Sequence, residues 1–349
     1  MKPVRLAIAG AGLIGQAHIR VAQQDAACEL VAIVDPAPAG AAVAARAGVA
    51  HFRTLTEMLA HDRPDAVILA TPNALHVEQA LQCIAAGLAI LLEKPIASTV
   101  AEARIVVDAV DKARARLLIG HHRAHSPIMA KACEIIASGV LGQLVAVTGS
   151  ATFFKPDHYF TDAPWRRETG GGPILINMIH EVHNLRMLCG EITAVQAFAS
   201  SATRRFAVED TVSINLRFAS GALGTFMLSD TAASARSWEQ TARENTSYAS
   251  YDDEDCYCVS GTQGSLAIPT MRLKTYARPE DRSWWKPFET AVVDMVRADP
   301  LQRQLAHFCA LARGEVAPLV SARDGLANLQ VTEAIAMAAA SGTTVNIPE

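Results

Sequence analysis

The chain has 349 residues, of which 50% are apolar and 19% charged, with a formal net charge of −4. That is ample for buried cores, and at roughly 150 residues per domain the length suggests two. Lys and Arg are scattered without a basic stripe, which argues against nucleic acid or an anionic membrane as the main partner. No apolar run approaches the ~20 residues of a membrane span, and "MKPVRLAIAGAG" breaks into glycines too early for a signal peptide. The seven cysteines are spread along the chain, and without a secretory signal they read as reduced thiols in a cytoplasmic protein.

From Val4 to His121 short aliphatic strands alternate with helices. The strands are "VRLAIAG" (4–10), "ELVAIVD" (29–35), "DAVILAT" (65–71), "AILLE" (89–93) and "RLLIGH" (116–121). Helices are expected over 13–24, near 39–47, over 75–86 and over 99–115, with a Thr99/Glu102 capping box and a stop at Gly87. Near-continuous apolar strands alternating with helices imply an α/β doubly wound parallel sheet, a Rossmann domain over 1–122.

Beyond residue 122 the character changes. Ser126-Pro127 opens a helix that runs to about Ser138. Longer alternating strands follow over 143–154, 193–204 and 210–230, the last a hairpin turning at Ser220-Gly221. "DCYCVSGTQGSLAI" and "MRLKTYA" continue the pattern. The expectation is an α+β domain over 123–349 with an open, mostly antiparallel sheet. The polar stretch 231–255 reads as an exposed loop or lid. "SWWKPF", with Trp284, Trp285 and Phe288, reads as a packing or subunit-interface cluster ahead of a sugar platform.

"GAGLIG" places Gly10, Gly12 and Gly15 around Leu13 and Ile14, after a strand and at the start of a helix. Gly10 permits the turn, Gly12 lets the backbone approach a pyrophosphate, and Gly15 lets the helix pack on the sheet. The helix N-terminus favours the diphosphate. Asp35, ending the second strand, would bond the adenosine ribose and repel a 2′-phosphate, so NAD is preferred to NADP. "ATPNALH", with Thr71, Pro72, Asn73 and His76, ends the next strand on the edge where such sheets bind ligands. Glu93-Lys94-Pro95 stands on the same edge. A Lys held there can be desolvated and so give or take a proton, with Glu93 as its orienting partner or a cofactor contact. In "PWRRETGGGPILINMIHEVHNLRMLCG" (164–190) three glycines precede a helix over Leu175–Leu188 that carries His180 and His183. Neither that H-E-V-H spacing nor "GHHRAH" (120–125) matches a metal site, so no metal is expected.

These motifs, in this order over nearly the whole chain, resemble the Gfo/Idh/MocA oxidoreductases. The resemblance implies a Rossmann domain and an open-sheet domain, assembled into dimers or tetramers through the sheet. It also implies NAD(P)-dependent chemistry at a secondary alcohol of a sugar, cyclitol or related polyol. Lys94 matches the family's acid/base lysine and His180 the histidine that assists it. Trp165 and Arg166 match a pair that meets the cofactor, and His122 stands where many relatives carry an Asn near the nicotinamide. Two positions depart from the pattern, with Ile176 and His183 in place of frequent aspartates. Asn177, a helical turn before His180, is the candidate to replace the lost contact. Arg123, Arg166 and Arg167 are candidates to clamp a carboxylate. A carboxylated cis-dihydrodiol therefore stays open as a substrate, and so do an NAD sensor without catalysis and an enzyme that retains its NAD.

Overall fold

The computed structural model describes residues 2–348. The chain begins with β1 (Val4–Ala9), α1 (Leu13–Gln24), β2 (Cys28–Val34), α2 (Pro38–Ala47), β3 (Ala50–Phe52), α3 (Leu55–His61) and β4 (Ala66–Leu69). It continues through α4 (His76–Ala85), β5 (Ala89–Leu92), α5 (Val100–Ala113) and β6 (Leu117–Ile119). The strands make one parallel sheet in the order β3-β2-β1-β4-β5-β6. β4 and β5 are buried at every position, as strands covered on both faces must be. The order reverses between β1 and β4, so the crevice for a ligand lies outside the carboxyl ends of these strands. The pair β3 and α3 falls between the expected elements. Three residues are too few to display a period, although Thr54 and Glu57 do form a capping box at α3.

After Ser126, which caps α6 (Pro127–Ala137) by accepting from the amides of Ile128 and Met129, the chain builds a second sheet. Its elements are β7 (Leu144–Thr152), α7 (Asp157–Thr161), α8 (Ile179–Cys189), β8 (Ile192–Ser200), β9 (Thr211–Phe218) and β10 (Leu223–Ser229). Then come α9 (Trp238–Thr241), β11 (Tyr257–Gly261), β12 (Gly264–Ile268), β13 (Arg272–Thr275) and β14 (Glu289–Val292), with β15 (Val345–Asn346) near the C-terminus. The order is β14-β13-β12-β11-β7-β10-β9-β8-β15, antiparallel except where β10 runs parallel to β7. Burial alternates strictly along β9, so one face of the sheet packs against Ile128, Met129, Val182 and Leu185 of α6 and α8.

Two helices follow, α10 (Pro300–Arg313) and α11 (Ala322–Ser341). By contacts, the chain divides into one compact unit of Met1–His125 with Pro300–Leu329 and another of Ser126–Asp299 with Gln330–Glu349. Besides the boundary expected near residue 122, there is thus a return of 300–329 to the first unit, and α11 contributes to both. Among the described residues no helix is long and apolar enough to cross a membrane.

Two stretches differ from their sequence reading. Within 231–255, Trp238 is 1% exposed, packs 6.2 Å from Tyr257 and donates from Nε1 to Glu244, so this part of the stretch is core. A single buried indole anchors it, a feature that windowed polarity averages away. Conversely, Trp284 and Trp285 are 86% and 84% exposed in the β13–β14 connection, edge to face with each other at 5.1 Å, so they are not core, and the subunit-interface reading stays open. Phe288 packs on Tyr276, at 4.5 Å.

Candidate functional site

β1 runs into a turn that only glycine can make. Gly10 has a φ of +92°, and a Cβ there would lie 2.4 Å from the Ala70 carbonyl oxygen. A Cβ on Gly15 would lie 1.9 Å from the carbonyl oxygen of Gly10, so the first turn of α1 closes onto the loop. At Gly12 the situation is opposite, because a Cβ would meet nothing within 4 Å. The backbone is therefore open on that side, at the amino end of a 12-residue helix, beside Leu13 at 83% exposure and Ile14 at 37%. Asp35 is pinned next to this turn. Its Oδ2 accepts from the Ala11 amide and its Oδ1 from the Ala37 amide, both at 2.8 Å. Each carboxylate oxygen keeps a further lone-pair site for a hydroxyl donor. An open glycine backbone, a helix amino end and a fixed carboxylate fit the diphosphate and ribose of a dinucleotide.

Thr71 lies two residues beyond β4, and the loop through Pro72 and Asn73 is exposed or half-buried. His76 behaves differently. Its ring is fully buried, with Nδ1 2.8 Å from the Pro95 carbonyl and Nε2 2.9 Å from the Thr71 carbonyl. Burial holds its pKa below the ordinary histidine value. The ring exposes no atom, unlike the other residues of this loop. It ties the ends of β4 and β5 together. His76→Phe keeps the ring volume and removes the one hydrogen bond a neutral imidazole can donate to these two carbonyls, so a loss of about 1–3 kcal/mol is expected. Urea unfolding with a lower midpoint and an unchanged slope would register it; an unmoved midpoint would mean that the ring only fills space.

Glu93 is buried on the same edge. Its Oε1 lies 2.8 Å from His18 Nε2, and its carboxyl group packs on Gly120, where a Cβ would come within 2.8 Å. Burial pushes the carboxyl group up, but the hydrogen bond and charge of His18, with the charges of Lys94 and His122, outweigh it and leave the pKa lowered. Glu93 is accordingly an anion that orients the loop carrying half-buried Lys94. His122 and Arg123 lie on a 3₁₀ turn whose His125 carbonyl accepts from Arg303 of α10 at 2.9 Å, and Arg123 is buried. Among the described residues no group of three or more His, Cys, Asp or Glu side chains could hold a metal ion.

In the second unit the "PWRR" run is a 3₁₀ turn. Trp165 is 55% exposed, while Arg166 stacks 3.7 Å over Tyr159 and donates to its carbonyl at 2.7 Å. The expected helix over Leu175–Leu188 divides into a π turn, Ile174–Met178, followed by α8. Asn177 is half-buried on the π turn, and His180 is buried one residue into α8. Further along α8 the Tyr257 hydroxyl joins Glu181 and Asn184, which fixes this part of the helix in the core.

A second lysine completes this region. Lys155 is 8% exposed, donates to Asn177 Oδ1 at 2.8 Å and lies 3.4 Å from Asp230, which also takes Arg204 at 2.9 Å. A lysine only donates, so Asn177 must turn its amide oxygen toward Lys155 and its amide nitrogen away. Burial lowers the Lys155 pKa to about 8, with Asp230 opposing. Between that value and the unfolded one near 10.5, the folded chain binds fewer protons, so this group makes stability rise with pH. From pH ~8 to ~10, wild type should gain on the order of 2 kcal/mol relative to Lys155→Met in urea unfolding. A constant difference would show that Lys155 titrates normally.

Each unit thus gathers its own residues. The first brings Gly10, Gly12, Gly15, Asp35, Thr71, Glu93 and Lys94 to one sheet edge. The second groups Asn177 and Arg166 around Lys155 and Tyr159, with His180 three residues beyond Asn177. Sequence reasoning missed His18, Lys155, Tyr159, Arg204 and Asp230. One signal was there for Lys155, since "FFKP" repeats the Lys-Pro at a strand end seen in "LLEKP".

Comparison with known proteins bears on both units. Residues 4–121 match the GFO_IDH_MocA model, an oxidoreductase family with an NAD-binding Rossmann fold, and residues 129–267 match the GFO/IDH/MocA C-terminal domain. The chain is 30% identical over 339 residues to the rhizopine catabolism protein MocA of Rhizobium meliloti, covering 96% of this chain and 94% of that one. It is 27% identical over 357 residues to the inositol 2-dehydrogenase of Rhizobium meliloti strain 1021, covering 99% of each. Among solved structures it is similar to the WlbA dehydrogenase from Bordetella pertussis in complex with NADH and UDP-GlcNAcA. That likeness has a TM-score of 0.79 at 25% identity and covers 99% of both chains.

Proposed function

The chain belongs to the Gfo/Idh/MocA family of oxidoreductases, and from that premise we propose that it moves a hydride between NAD and a secondary alcohol of a sugar, cyclitol or related polyol, with Lys94 as proton donor and acceptor and His180 assisting. The chain is an NAD-dependent dehydrogenase acting on CH–OH groups, and NAD supplies the hydride acceptor when bound. Gly10, Gly12 and Gly15 would hold its diphosphate, and Asp35 its ribose hydroxyls. Two pinned carboxylate oxygens at that position disfavour a 2′-phosphate.

The observation that carries the reading is the placement of Lys94. It follows a buried, ionised glutamate on the sheet edge that also presents the open Gly12 backbone. In the oxidative direction the Lys94 amine takes the hydroxyl proton as the hydride leaves; in the reductive direction its ammonium returns that proton to the carbonyl oxygen. Asn177, with its oxygen held by Lys155, offers a substrate its amide N–H groups next to Ile176, which stands where many relatives are expected to present an aspartate. The exposed sheet face, with Phe198 at 79% and Leu223 at 58% exposure, supports a homodimer or homotetramer, which a monomer mass in light scattering would exclude.

The test is absorbance in the NADH band, with NAD and separately NADP, against polyols, sugars, inositols and carboxylated dihydrodiols. NADH formation with one class is the expected result. Silence across the panel, with NAD binding intact in calorimetry, would overturn turnover as a free dehydrogenase and favour a retained cofactor or a sensor.

A further inference from the structure

We propose that a cavity inside the second unit, walled by Phe154, Phe160 and Phe206 and facing Arg167 and Arg204, binds a small carboxylic acid with a flat apolar body. The cavity measures about 420 Å³, within the range of small-molecule sites. Its rings form a continuous apolar wall, with Phe160 and Phe206 centred 5.1 Å apart. The two guanidinium groups lie on this wall. Arg204 stands 4.5 Å over Phe160 and 5.1 Å over Phe154, and Arg167 stands 5.4 Å over Phe206.

The cations around the cavity are unequally paired. Asp230 is shared between Arg204 and Lys155, and Arg204 also donates to the Lys155 carbonyl at 2.7 Å. Asp210 accepts the main-chain amides of Thr203 and Arg204. Asp157 comes no nearer to Arg204 than 4.0 Å and is 97% exposed on the rim. Arg167 has no carboxylate within ion-pair distance among the described residues, and its buried Nε has no hydrogen-bond partner. Arg167 as a whole is half-buried on the cavity wall, and a ligand carboxylate there would give its guanidinium the counter-charge and the charge-assisted bond it lacks. The rest of the wall decides the body of the ligand. Phe154, 57% exposed, and half-buried Phe206 leave apolar surface for a planar ring, while the hydroxyls of Thr203 and Thr231 are too few to match a hydroxyl-rich sugar.

This deepens the dehydrogenase reading by naming a carboxylated ring as substrate class, but the binding rests on the second unit's geometry alone. The experiment is calorimetry on the full chain without NAD, with benzoate as the probe, benzamide as its uncharged isostere and glucuronate as a hydroxyl-rich acid. Saturable benzoate binding at about millimolar Kd or tighter is expected, with benzamide and glucuronate at least about tenfold weaker. Arg167→Met, which leaves the Arg204–Asp230 pair in place, should lose benzoate binding by about tenfold while keeping the wild-type melting temperature. No saturation by about 10 mM, equal binding of benzamide, or unchanged affinity in Arg167→Met overturns the proposal. NADH formation from carboxylated cyclohexadiene diols is scored separately. Failure there, with benzoate binding intact, removes the substrate assignment and spares the subsite. Polyol oxidation unaffected by Arg167→Met, with no benzoate binding, removes the subsite and spares the dehydrogenase.

Discussion

Lys94→Met lowers turnover about 10²–10⁴-fold, the usual contribution of one placed proton-transfer group, and leaves NAD affinity within about threefold. Methionine approximates the length and apolar stem of lysine, so the loop through Pro95, tied by His76, keeps its place. What disappears is a nitrogen able to exchange a proton with the substrate oxygen. Lys94→Arg should not rescue the rate, because a guanidinium does not release its proton near neutral pH. The measurement is kcat/KM against the calorimetric Kd for NAD, on the same preparation. Wild-type turnover in Lys94→Met would remove Lys94 from the chemistry. A parallel collapse of NAD affinity would reassign it to cofactor binding.

The second large effect separates two glycines three residues apart. Gly12→Ala should melt like wild type yet lose NAD affinity by about tenfold or more, because its methyl group would occupy space kept for the diphosphate. The Cβ built at Gly12 meets no protein atom within 4 Å, so the apoprotein has no reason to suffer. At Gly15 the added carbon would fall 1.9 Å from the Gly10 carbonyl oxygen, and the loop and α1 must move apart. Gly15→Ala should therefore lower stability by about 1–3 kcal/mol and weaken NAD as well. Melting curves and NAD titrations on both variants check the pair. If Gly12→Ala binds NAD normally, the open backbone is not the diphosphate cradle.

Much of the first unit was legible because its signals are local. A glycine spacing, an acidic strand end and a run of buried strands each act within a few residues of the groups they position. Family-level motifs singled out Lys94, His180, Trp165 and Arg166 as candidates by the same means, since each lies in a short recognisable string. Asn177 was singled out for its place one turn before His180, but not its partner. The Lys155 contact spans 22 residues of sequence and depends on where β7 delivers its end. His18 is separated from Glu93 by 75 residues, and nothing in α1 marks it except its place on the buried face.

The sequence by itself determined the order of strands and helices, the glycine turn, the fixed acid at Asp35 and the lysine at the end of β5. All of these follow from backbone geometry and from hydrophobic periods over a few residues. Only the tertiary structure decided which charges are paired. It placed Glu93 against His18, Lys155 between Asp230 and Asn177, and Arg167 on a phenyl wall without a counter-ion among the described residues. It also returned residues 300–329 to the first unit and left Trp284 and Trp285 in solvent. These outcomes depend on contacts between residues distant in sequence, and burial there sets the ionisation and the hydrogen-bond partners that no local pattern encodes.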